Sequence, residues 1–306
     1  MEKKGFTLVE LLVVIAIIAL LMGILMPALA RVRQIAFRMV CGTNLSGIGK
    51  AMLVYANDYE DELPRAGGRG SVWSPGTPNW LANSRFGAYN LSADGSGGSA
   101  SITSSFYLLV KYTEVTPKSF VCKSDSGTRE LKLSEYPLAA GKELIDVWDF
   151  GPEPKYHCSY SYHMPYGLYA LTTSSEPGMA VASDRNPWID SPAAQAKNFA
   201  NFKPDMPPWK GTAEQAKHGN AVAHQEDGQN VLFMDSHVEF AKRAYCGVED
   251  DNIYTHLPQG LGHPQIGELP VVPTSMSGHR KDSFLVHDGE EGSSPSTGDD
   301  PRRRSR

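Results

Sequence analysis

The strongest constraint on this chain is an apolar run near its N-terminus. Residues 11–30 read LLVVIAIIALLMGILMPALA and carry no charge. As a helix this run is about 30 Å long, which matches the hydrocarbon thickness of a bilayer. Between Lys4 and Arg31 the only ionisable side chain is Glu10, at the edge of the run. A carboxylate there is costly without a partner, so we expect Glu10 to have one.

Three kinds of protein carry such a segment, and each leaves a different mature N-terminus. A plain membrane anchor keeps the segment whole, a secretory signal peptide loses it after Ala30, and a third kind loses only a short leader. Two lysines before the run and the small-x-small sequence at residues 28–30 favour the signal peptide. The length of the run disfavours it, because the apolar region of a signal peptide usually has about 7 to 15 residues.

The composition of the whole chain is that of a globular protein. It has 306 residues, of which 41% are hydrophobic and 21% charged, so the chain is neither disordered nor fibrous. The formal net charge of −5 gives no overall positive field, so we expect no nucleic-acid partner. With 29 glycines and 21 prolines, much of the chain should form turns, loops and short strands, which disfavours an all-helical fold.

The residues at the start of the apolar run favour the third kind of protein. The sequence KKGFTLVELL at residues 3–12 resembles the class III signal of type IV prepilins and type II secretion pseudopilins. This resemblance implies cleavage between Gly5 and Phe6 by a prepilin peptidase, N-methylation of Phe6 and retention of the apolar helix. It also makes Glu10 the fifth residue of the mature chain, and it places Pro27 where pilin helices commonly carry a kinking proline.

The spacing of Phe6 and Glu10 gives this processing a physical purpose. Cleavage creates a new amine at Phe6, and Glu10 follows about one helical turn later, so the two charges lie at a similar depth in the apolar layer. In a filament, Glu10 of one subunit would pair with the ammonium group of Phe6 in its neighbour. Because a buried charge is tolerated only with a partner, this pair would set the axial register of assembly.

After the apolar run the pattern becomes that of an amphipathic helix. Apolar residues recur at steps of three and four, with an interruption near Gly42. They are Val32, Ile35, Met39, Leu45, Ile48, Met52, Tyr55 and Tyr59. We predict one continuous helix through both segments, weakened locally at Pro27 and at its glycines, whose second half packs against a sheet.

Several stretches beyond the helix start also resemble a large bacterial group of prepilin-type proteins with a Gly-rich globular domain. They include CGTNL at residues 41–45, YAND at residues 55–58 and DDNIYT at residues 250–255. The group usually has an Asp-Gly turn with a histidine nine residues before it. Here the turn is Asp235-Ser236, and His224 lies one residue further away, which leaves the turn type open.

These observations predict an α+β, pilin-like fold, in which a long N-terminal helix packs on a small antiparallel β-sheet with long loops. The first half of the helix is expected to be transmembrane. The segments are a leader (1–5), a transmembrane and N-methylation segment (6–30), the amphipathic half of the helix (31–60), a globular β domain (61–290) and a disordered tail (291–306).

The globular part contains several predicted short strands. They are residues 159–163 and 179–183, a hairpin at residues 230–240 with a two-residue loop, and an edge strand at residues 282–287. Residues 106–112 read as a short helix or strand. Residues 66–105 are rich in Gly and Ser, and we interpret them as a long, partly ordered loop pinned by aromatic side chains rather than as a carbohydrate site.

Four cysteines lie in the part expected outside the cytoplasm, where disulfides persist. They are Cys41, Cys122, Cys158 and Cys246. Four cysteines allow two bridges in three connectivities, and none of the spacings is the Cys-x-x-Cys of many metal sites. The resemblance to the prepilin group favours the pair Cys41 and Cys122, because the group often carries both positions.

Two clusters of polar residues are candidate metal sites. The first contains His218, His224, Glu226, Asp227 and His237. It fits no zinc hydrolase pattern, so we interpret it as loop residues beside a hairpin and expect no catalytic site. The second contains Glu249, Asp250, Asp251 and Asn252. The resemblance to pseudopilins makes calcium the better cofactor here, although a solvated acidic turn explains these four residues equally well.

The expected function is therefore structural. The resemblance implies a pseudopilin or pilin-like subunit of a type II secretion pseudopilus or a type IV pilus-like filament. Its partners would be the prepilin peptidase, copies of itself and other pseudopilins, and an inner-membrane assembly platform with its ATPase. It would reside in the bacterial inner membrane with the globular domain outside the cytoplasm. The alternative is an envelope-anchored or Sec-secreted enzyme or binding protein that uses residues 11–30 only as anchor or signal.

Overall fold

A long helix and a five-stranded antiparallel sheet form the framework of the protein. The structure is a computed structural model that describes residues 7–258 and 266–289. The leader, Gly5, Phe6 and the tail at residues 291–306 lie outside the described residues. The helices are α1 (Leu8–Asp58), α2 (Arg85–Tyr89), α3 (Ile102–Tyr112) and α4 (Ala213–Lys217).

Helix α1 is continuous over 51 residues, as the two adjoining hydrophobic patterns predict. It contains Pro27, whose ring has no N–H group, so the carbonyl of Gly23 lacks its helical partner. A Cβ atom added at Gly23 would meet nothing within 4 Å, so no other part of the chain packs against the helix at this residue. Gly23 and Pro27 therefore mark the weakest turn of the apolar half.

The strands form two sheets of unequal size. Strands β1 (Val72–Trp73) and β2 (Ser99–Ala100) make a short parallel pair. The larger sheet contains β3 (Tyr160–His163), β4 (Ala180–Asp184), β5 (Gln229–Phe233), β6 (Val238–Ala241) and β7 (Leu285–Val286). Its order is β6-β5-β4-β3-β7, and every neighbouring pair is antiparallel. This architecture confirms the α+β, pilin-like fold.

Both faces of the larger sheet are covered. Along β5, Val231 and Phe233 belong to one hydrophobic core, whereas Leu232 between them belongs to the other. The core on the side of Leu232 includes the second half of α1 and most of α3. The opposite core contains Trp188 and Tyr254 together with a residue of α4. Strand β5 is therefore buried on both sides, between helices and a layer of loops.

The hairpin between β5 and β6 differs from the prediction at its tip. The Phe233 N–H donates to the His237 carbonyl at 3.0 Å, and the Ser236 N–H donates to the Phe233 carbonyl at 2.9 Å. The loop thus has three residues instead of two. Its third residue, Ser236, has φ 71°, the left-handed conformation that such hairpins require at that place. The prediction of a two-residue loop was therefore wrong. Ser236 adopts the left-handed conformation that glycine more often takes, and this allows the three-residue loop to form.

The Gly- and Ser-rich stretch at residues 66–105 is more ordered than predicted. It contains β1, α2, β2 and the first turn of α3. The carboxylate of Asp288 explains this order, because it accepts the backbone N–H of Ile102 at 2.9 Å and that of Thr103 at 2.8 Å. It also accepts the indole N–H of Trp73 at 3.0 Å. A residue far away in the sequence therefore fixes this stretch, and local composition gives no sign of it.

The contact between α1 and β5 depends on a residue without a side chain. A Cβ atom added at Gly49 would lie 2.7 Å from Cδ1 of Leu232, which is itself only 1% exposed. We expect Gly49→Ala to lower the free energy of unfolding by about 1–3 kcal/mol, because overpacking forces the sheet and helix apart.

Gly47 supplies the matched control on the same helix. It is exposed, and an added Cβ atom meets nothing within 4 Å. Gly47→Ala should raise the free energy of unfolding by about 0.5–1 kcal/mol through helix propensity. Urea unfolding of the full chain in detergent, followed by tryptophan fluorescence, measures both changes. Equal effects of the two substitutions would contradict the close packing at Gly49.

Candidate assembly site on the N-terminal helix

Helix α1 begins with a capping box that engages Glu10. The side-chain oxygen of Thr7 accepts the N–H of Glu10 at 3.3 Å. In return, Oε2 of Glu10 accepts the backbone N–H of Thr7 at 2.9 Å and its hydroxyl at 2.6 Å. These bonds satisfy two donors that the first turn of a helix leaves without partners. The carboxylate is thus held within its own chain, at the solvent-exposed start of the helix.

The first part of α1 stands free of the globular domain. Its first buried residue is Cys41, and residues 8–33 are all exposed, which makes a rod about 40 Å long. Large apolar side chains cover this rod, with Leu8 78% and Met26 71% exposed. Among the described residues, α1 is the one helix long and apolar enough to cross a membrane, and none of its apolar window is buried. Such a surface needs lipid or neighbouring apolar helices around it.

Arg38 marks the place where the helix meets the globular domain. Its guanidinium forms an ion pair with Asp227 and lies 4.5 Å from the centre of the Phe240 ring. Asp227 also pairs with Lys217 at 3.2 Å, and the hydrogen bond from Arg38 lowers the pKa of the Asp227 carboxyl. Beside this junction, α1 and strand β6 enclose a groove of about 690 Å³ that includes Ile35 and Val238. The groove is continuous with the exposed apolar rod.

The comparison with known protein families now bears on this end of the chain. A family model described as the prokaryotic N-terminal methylation motif matches residues 1–26. By this segment, the chain is a type IV prepilin-like protein. The matched residues include Gly5, Phe6 and Glu10, the residues expected to act in processing and assembly. No curated protein and no solved structure matches the chain.

The cysteines of this prepilin-like protein form one disulfide. It joins Cys41 on α1 to Cys122 in the globular domain, with Cα atoms 5.4 Å apart and 81 residues between the two positions. Cys158 and Cys246 are free thiols, so the two-bridge arrangement considered from the sequence does not form. Burial raises the pKa of the Cys158 thiol to about 12, which makes it unreactive. The disulfide ties the helix to the domain at the point where the helix enters the core.

His224, which was predicted to be a loop residue beside the hairpin, lies against this disulfide. His224 is 3% exposed, and its Nε2 lies 3.6 Å from the Sγ of Cys122. The same nitrogen lies 3.4 Å from Oδ2 of Asp184 and 3.3 Å from Nδ2 of Asn230. The only feature of the sequence that drew attention to His224 was its position ahead of the hairpin. That signal was weak, because the spacing departs by one residue from the pattern of the prepilin group.

The four residues proposed to hold calcium are used in different ways. Glu249 forms an ion pair with Lys281, and Asp250 is exposed. Asp251 accepts the N–H of Ser283 at 2.7 Å, and the side-chain oxygen of Asn252 accepts the N–H of Tyr254 at 3.1 Å. Calcium takes six to eight oxygen ligands. Among the described residues, the ligand atoms of Glu249, Asp250 and Asp251 do not form a cluster, so the structure adds no support to the calcium prediction.

Two buried carboxyl groups lie together in the same region of the prepilin-like protein. Asp251 is 4% exposed and Asp282 is 1% exposed. Burial raises the pKa of Asp282 to about 6. Burial, together with the charge of Asp282, raises the pKa of Asp251 well above its usual range. Oδ2 of Asp282 accepts the N–H of Leu257 at 3.0 Å and the hydroxyl of Ser277 at 3.0 Å, so the carboxyl group is fixed in place.

This pair should make stability depend on pH. The folded-state pKa of Asp282 lies above its unfolded value, so its contribution to stability is complete below about pH 4 and is lost as the pH rises through about 6. Asp282→Asn keeps an oxygen for the same donors and removes the charge. We expect the loss of unfolding free energy between pH 4 and pH 7 to be smaller in this variant by about 2 kcal/mol.

Urea unfolding at a series of pH values measures this effect. Glu214→Gln, which removes an exposed carboxyl group on α4, is the matched control and should leave the wild-type pH profile in place. An Asp282→Asn profile that ran parallel to the wild-type profile would show that burial does not raise the pKa of Asp282 in the folded protein.

Proposed function

We propose that this prepilin-like protein is a structural subunit of a type II secretion pseudopilus or a type IV pilus-like filament. In this proposal it is cleaved between Gly5 and Phe6, methylated at Phe6 and packed through α1 against other subunits. The observation that carries the proposal is the exposed apolar rod at residues 8–33, with the Glu10 carboxylate in its first turn. The methylation motif at residues 1–26 supports it independently.

The rod suits a subunit that moves from membrane to filament. In the bilayer, acyl chains surround the apolar side chains of α1. In a filament, neighbouring helices take the place of the acyl chains, so assembly exchanges one apolar environment for another. Because this exchange has little driving force of its own, an assembly platform and its ATPase would have to supply the work. Copies of the chain and other pseudopilins would supply the neighbouring helices.

The disulfide supports a globular domain outside the cytoplasm. Disulfides persist in oxidising compartments and are rare in the reducing cytosol. Cys41 of the Cys41–Cys122 bond lies eleven residues after Ala30, the end of the apolar run. With the leader on the cytoplasmic side, where the prepilin peptidase would cut, the single span places this bond on the opposite side of the inner membrane.

We take the role to be structural rather than catalytic. The acid–base pair of His224 and Asp184 is closed off from solvent, since both side chains are 0% exposed. The other such pair, His237 and Asp235, lies at the exposed hairpin tip and has side chains 50% and 47% exposed. The first pair is out of reach of a substrate, and His237 lines the open groove between α1 and β6, which does not enclose a substrate.

Processing of the N-terminus tests the proposal directly. We expect mass spectrometry of the chain purified from its native membrane to find a mature N-terminus at N-methylated Phe6. The physical reason is that the cut at Gly5 leaves the whole apolar helix in place. A mature chain beginning at Arg31 would indicate Sec processing, and an intact Met1 would indicate a plain anchor. Either result would contradict the proposal and favour an anchored or secreted enzyme or binding protein.

The charge of Glu10 is expected to control assembly and not cleavage. Glu10→Gln keeps an oxygen that can accept the N–H of Thr7, so the capping box persists, but the partner of the Phe6 ammonium is lost. We expect normal cleavage and at least about tenfold less subunit in sheared filaments, because the ammonium group remains unpaired in an apolar core. Immunoblots of the membrane and filament fractions measure both steps.

Thr7→Ala is the matched control for that experiment. It removes the capping hydroxyl at a cost of about 1 kcal/mol and leaves the charge of Glu10 intact. This variant should be cleaved and should enter filaments at close to the wild-type level. If Glu10→Gln assembled as well as the control, the carboxylate would not pair with a neighbouring subunit.

A further inference from the structure

The side chains around the disulfide form a cluster of metal-ligand atoms. Among the described residues, Cys41, Cys122 and His224 are the one group of three or more His, Cys, Asp or Glu whose ligand atoms all lie within 4.8 Å of one another. All three residues are buried, two of them at 0% exposure. We propose that these three side chains bind a zinc ion when the disulfide is reduced, and that forming the disulfide releases the ion.

The distances agree with zinc coordination. Zinc binds cysteine sulfur at about 2.3 Å and histidine nitrogen at about 2.0–2.1 Å in a tetrahedral arrangement. In such a tetrahedron the nitrogen and a sulfur lie about 3.6 Å apart. The distance from Nε2 of His224 to Sγ of Cys122 is 3.6 Å. The Cα atoms of the two cysteines, 5.4 Å apart, leave room for the sulfurs to separate around a metal through side-chain rotation alone.

The surroundings of Nε2 also resemble those of a metal ligand. Its polar neighbours other than sulfur, Nδ2 of Asn230 and Oδ2 of Asp184, lie 3.3 and 3.4 Å away, longer than the usual 2.9–3.0 Å of an N–H···O hydrogen bond. Asp184 lies beside the histidine, with Oδ2 3.4 Å from Nε2. Its other oxygen, Oδ1, is buried and has no hydrogen-bond partner among residues 7–258 and 266–289. A buried carboxylate with an unsatisfied oxygen favours a cation beside it.

The backbone holds His224 in this place at a cost. His224, Gln225 and Glu226 have φ values of 59°, 60° and 60°, three successive left-handed residues that are not glycine. Each such residue costs about 1–2 kcal/mol, and strain of this kind concentrates at functional positions. A neighbouring strand supports Asp184, since its Oδ2 accepts the backbone N–H of Asn230 at 2.7 Å. The cluster is therefore built from fixed parts.

The chemistry of the two states balances. In the reduced chain, the two thiols each lose a proton as their sulfurs bind Zn²⁺, and His224 binds as the neutral ring. Oxidation by a protein or small-molecule disulfide removes two electrons from the two thiolates, forms the Cys41–Cys122 bond and reduces the oxidant to a dithiol. The sulfurs then no longer bind zinc, and the ion leaves. Because the site is buried, the ion would enter as the reduced chain folds.

Either state fastens α1 to the globular domain at the same point. In the zinc state the metal joins Cys41 on the helix to Cys122 and His224 in the domain, and in the oxidised state the disulfide does so. The domain would therefore be tied to its helix in both redox states.

The test uses the full chain in detergent, with Cys158 and Cys246 replaced by serine to remove the other thiols. The protein is reduced with a phosphine and titrated with Zn²⁺ or Co²⁺, and a second sample is kept oxidised. We expect one equivalent of metal in the reduced sample and none in the oxidised one. X-ray absorption of the zinc-loaded protein should give two sulfur ligands, with nitrogen or oxygen as the rest.

His224→Asn is the decisive variant, since asparagine tolerates the left-handed backbone. We expect zinc affinity in the reduced state to fall by at least about tenfold. His237→Asn, at an exposed histidine, is the matched control and should bind as the parent does. The Cys41–Cys122 bond and the unfolding temperature of the oxidised variants report whether they fold.

Three results would overturn the proposal. They are a reduced parent chain that binds no zinc, a His224→Asn chain that binds as tightly as the parent, and a metal shell that lacks two sulfurs. The absorption measurement uses only the chain with native ligands, so it decides the matter even if the His224 variant does not fold.

Discussion

The whole structure depends on the junction where α1 changes from a free rod into part of the core. Cys41 is the first buried residue of the helix and half of its disulfide. Beyond it, Leu45, Ile48 and Met52 pack into the core on one face of the sheet, where Gly49 lets the helix approach closely. Because the helix is continuous across this junction, any displacement of the rod reaches the sheet without a hinge after Cys41.

Periodicity and local turn chemistry were enough to predict the framework. The uncharged run and the three–four spacing after it predicted one helix, and the structure has α1 from Leu8 to Asp58. The alternating and bounded apolar stretches predicted β3, β4, the β5–β6 hairpin and β7 in the right places. These features depend on contacts between residues near in sequence, which is the information that a pattern carries. The methylation motif at residues 1–26 is local for the same reason.

The features that escaped prediction depend on residues far apart in the chain. Asp288 orders the stretch at residues 66–105, which composition assigned to a loop. It lies 186 residues after Ile102, the first residue of α3, whose backbone N–H it accepts. His224 reaches Cys122 across 102 residues. The acidic stretch near Asp251 shows the reverse case. Its residues are neighbours in sequence, but their side chains bind different partners. Spacing along the chain shows which groups are near in sequence, whereas a binding site requires side chains that converge.

The position of the junction has a consequence for the height of the domain above the membrane. From Arg31, the first charge after the apolar run, α1 rises about 15 Å to Cys41. The polar layer on each side of a bilayer is about 5–8 Å thick. With residues 11–30 in hydrocarbon, Cys41 lies beyond the lipid headgroups, whereas Ile35 of the groove beside β6, about 6 Å above Arg31, lies at their level. Copies of the chain embedded in one bilayer would thus face each other with their domains at matching heights.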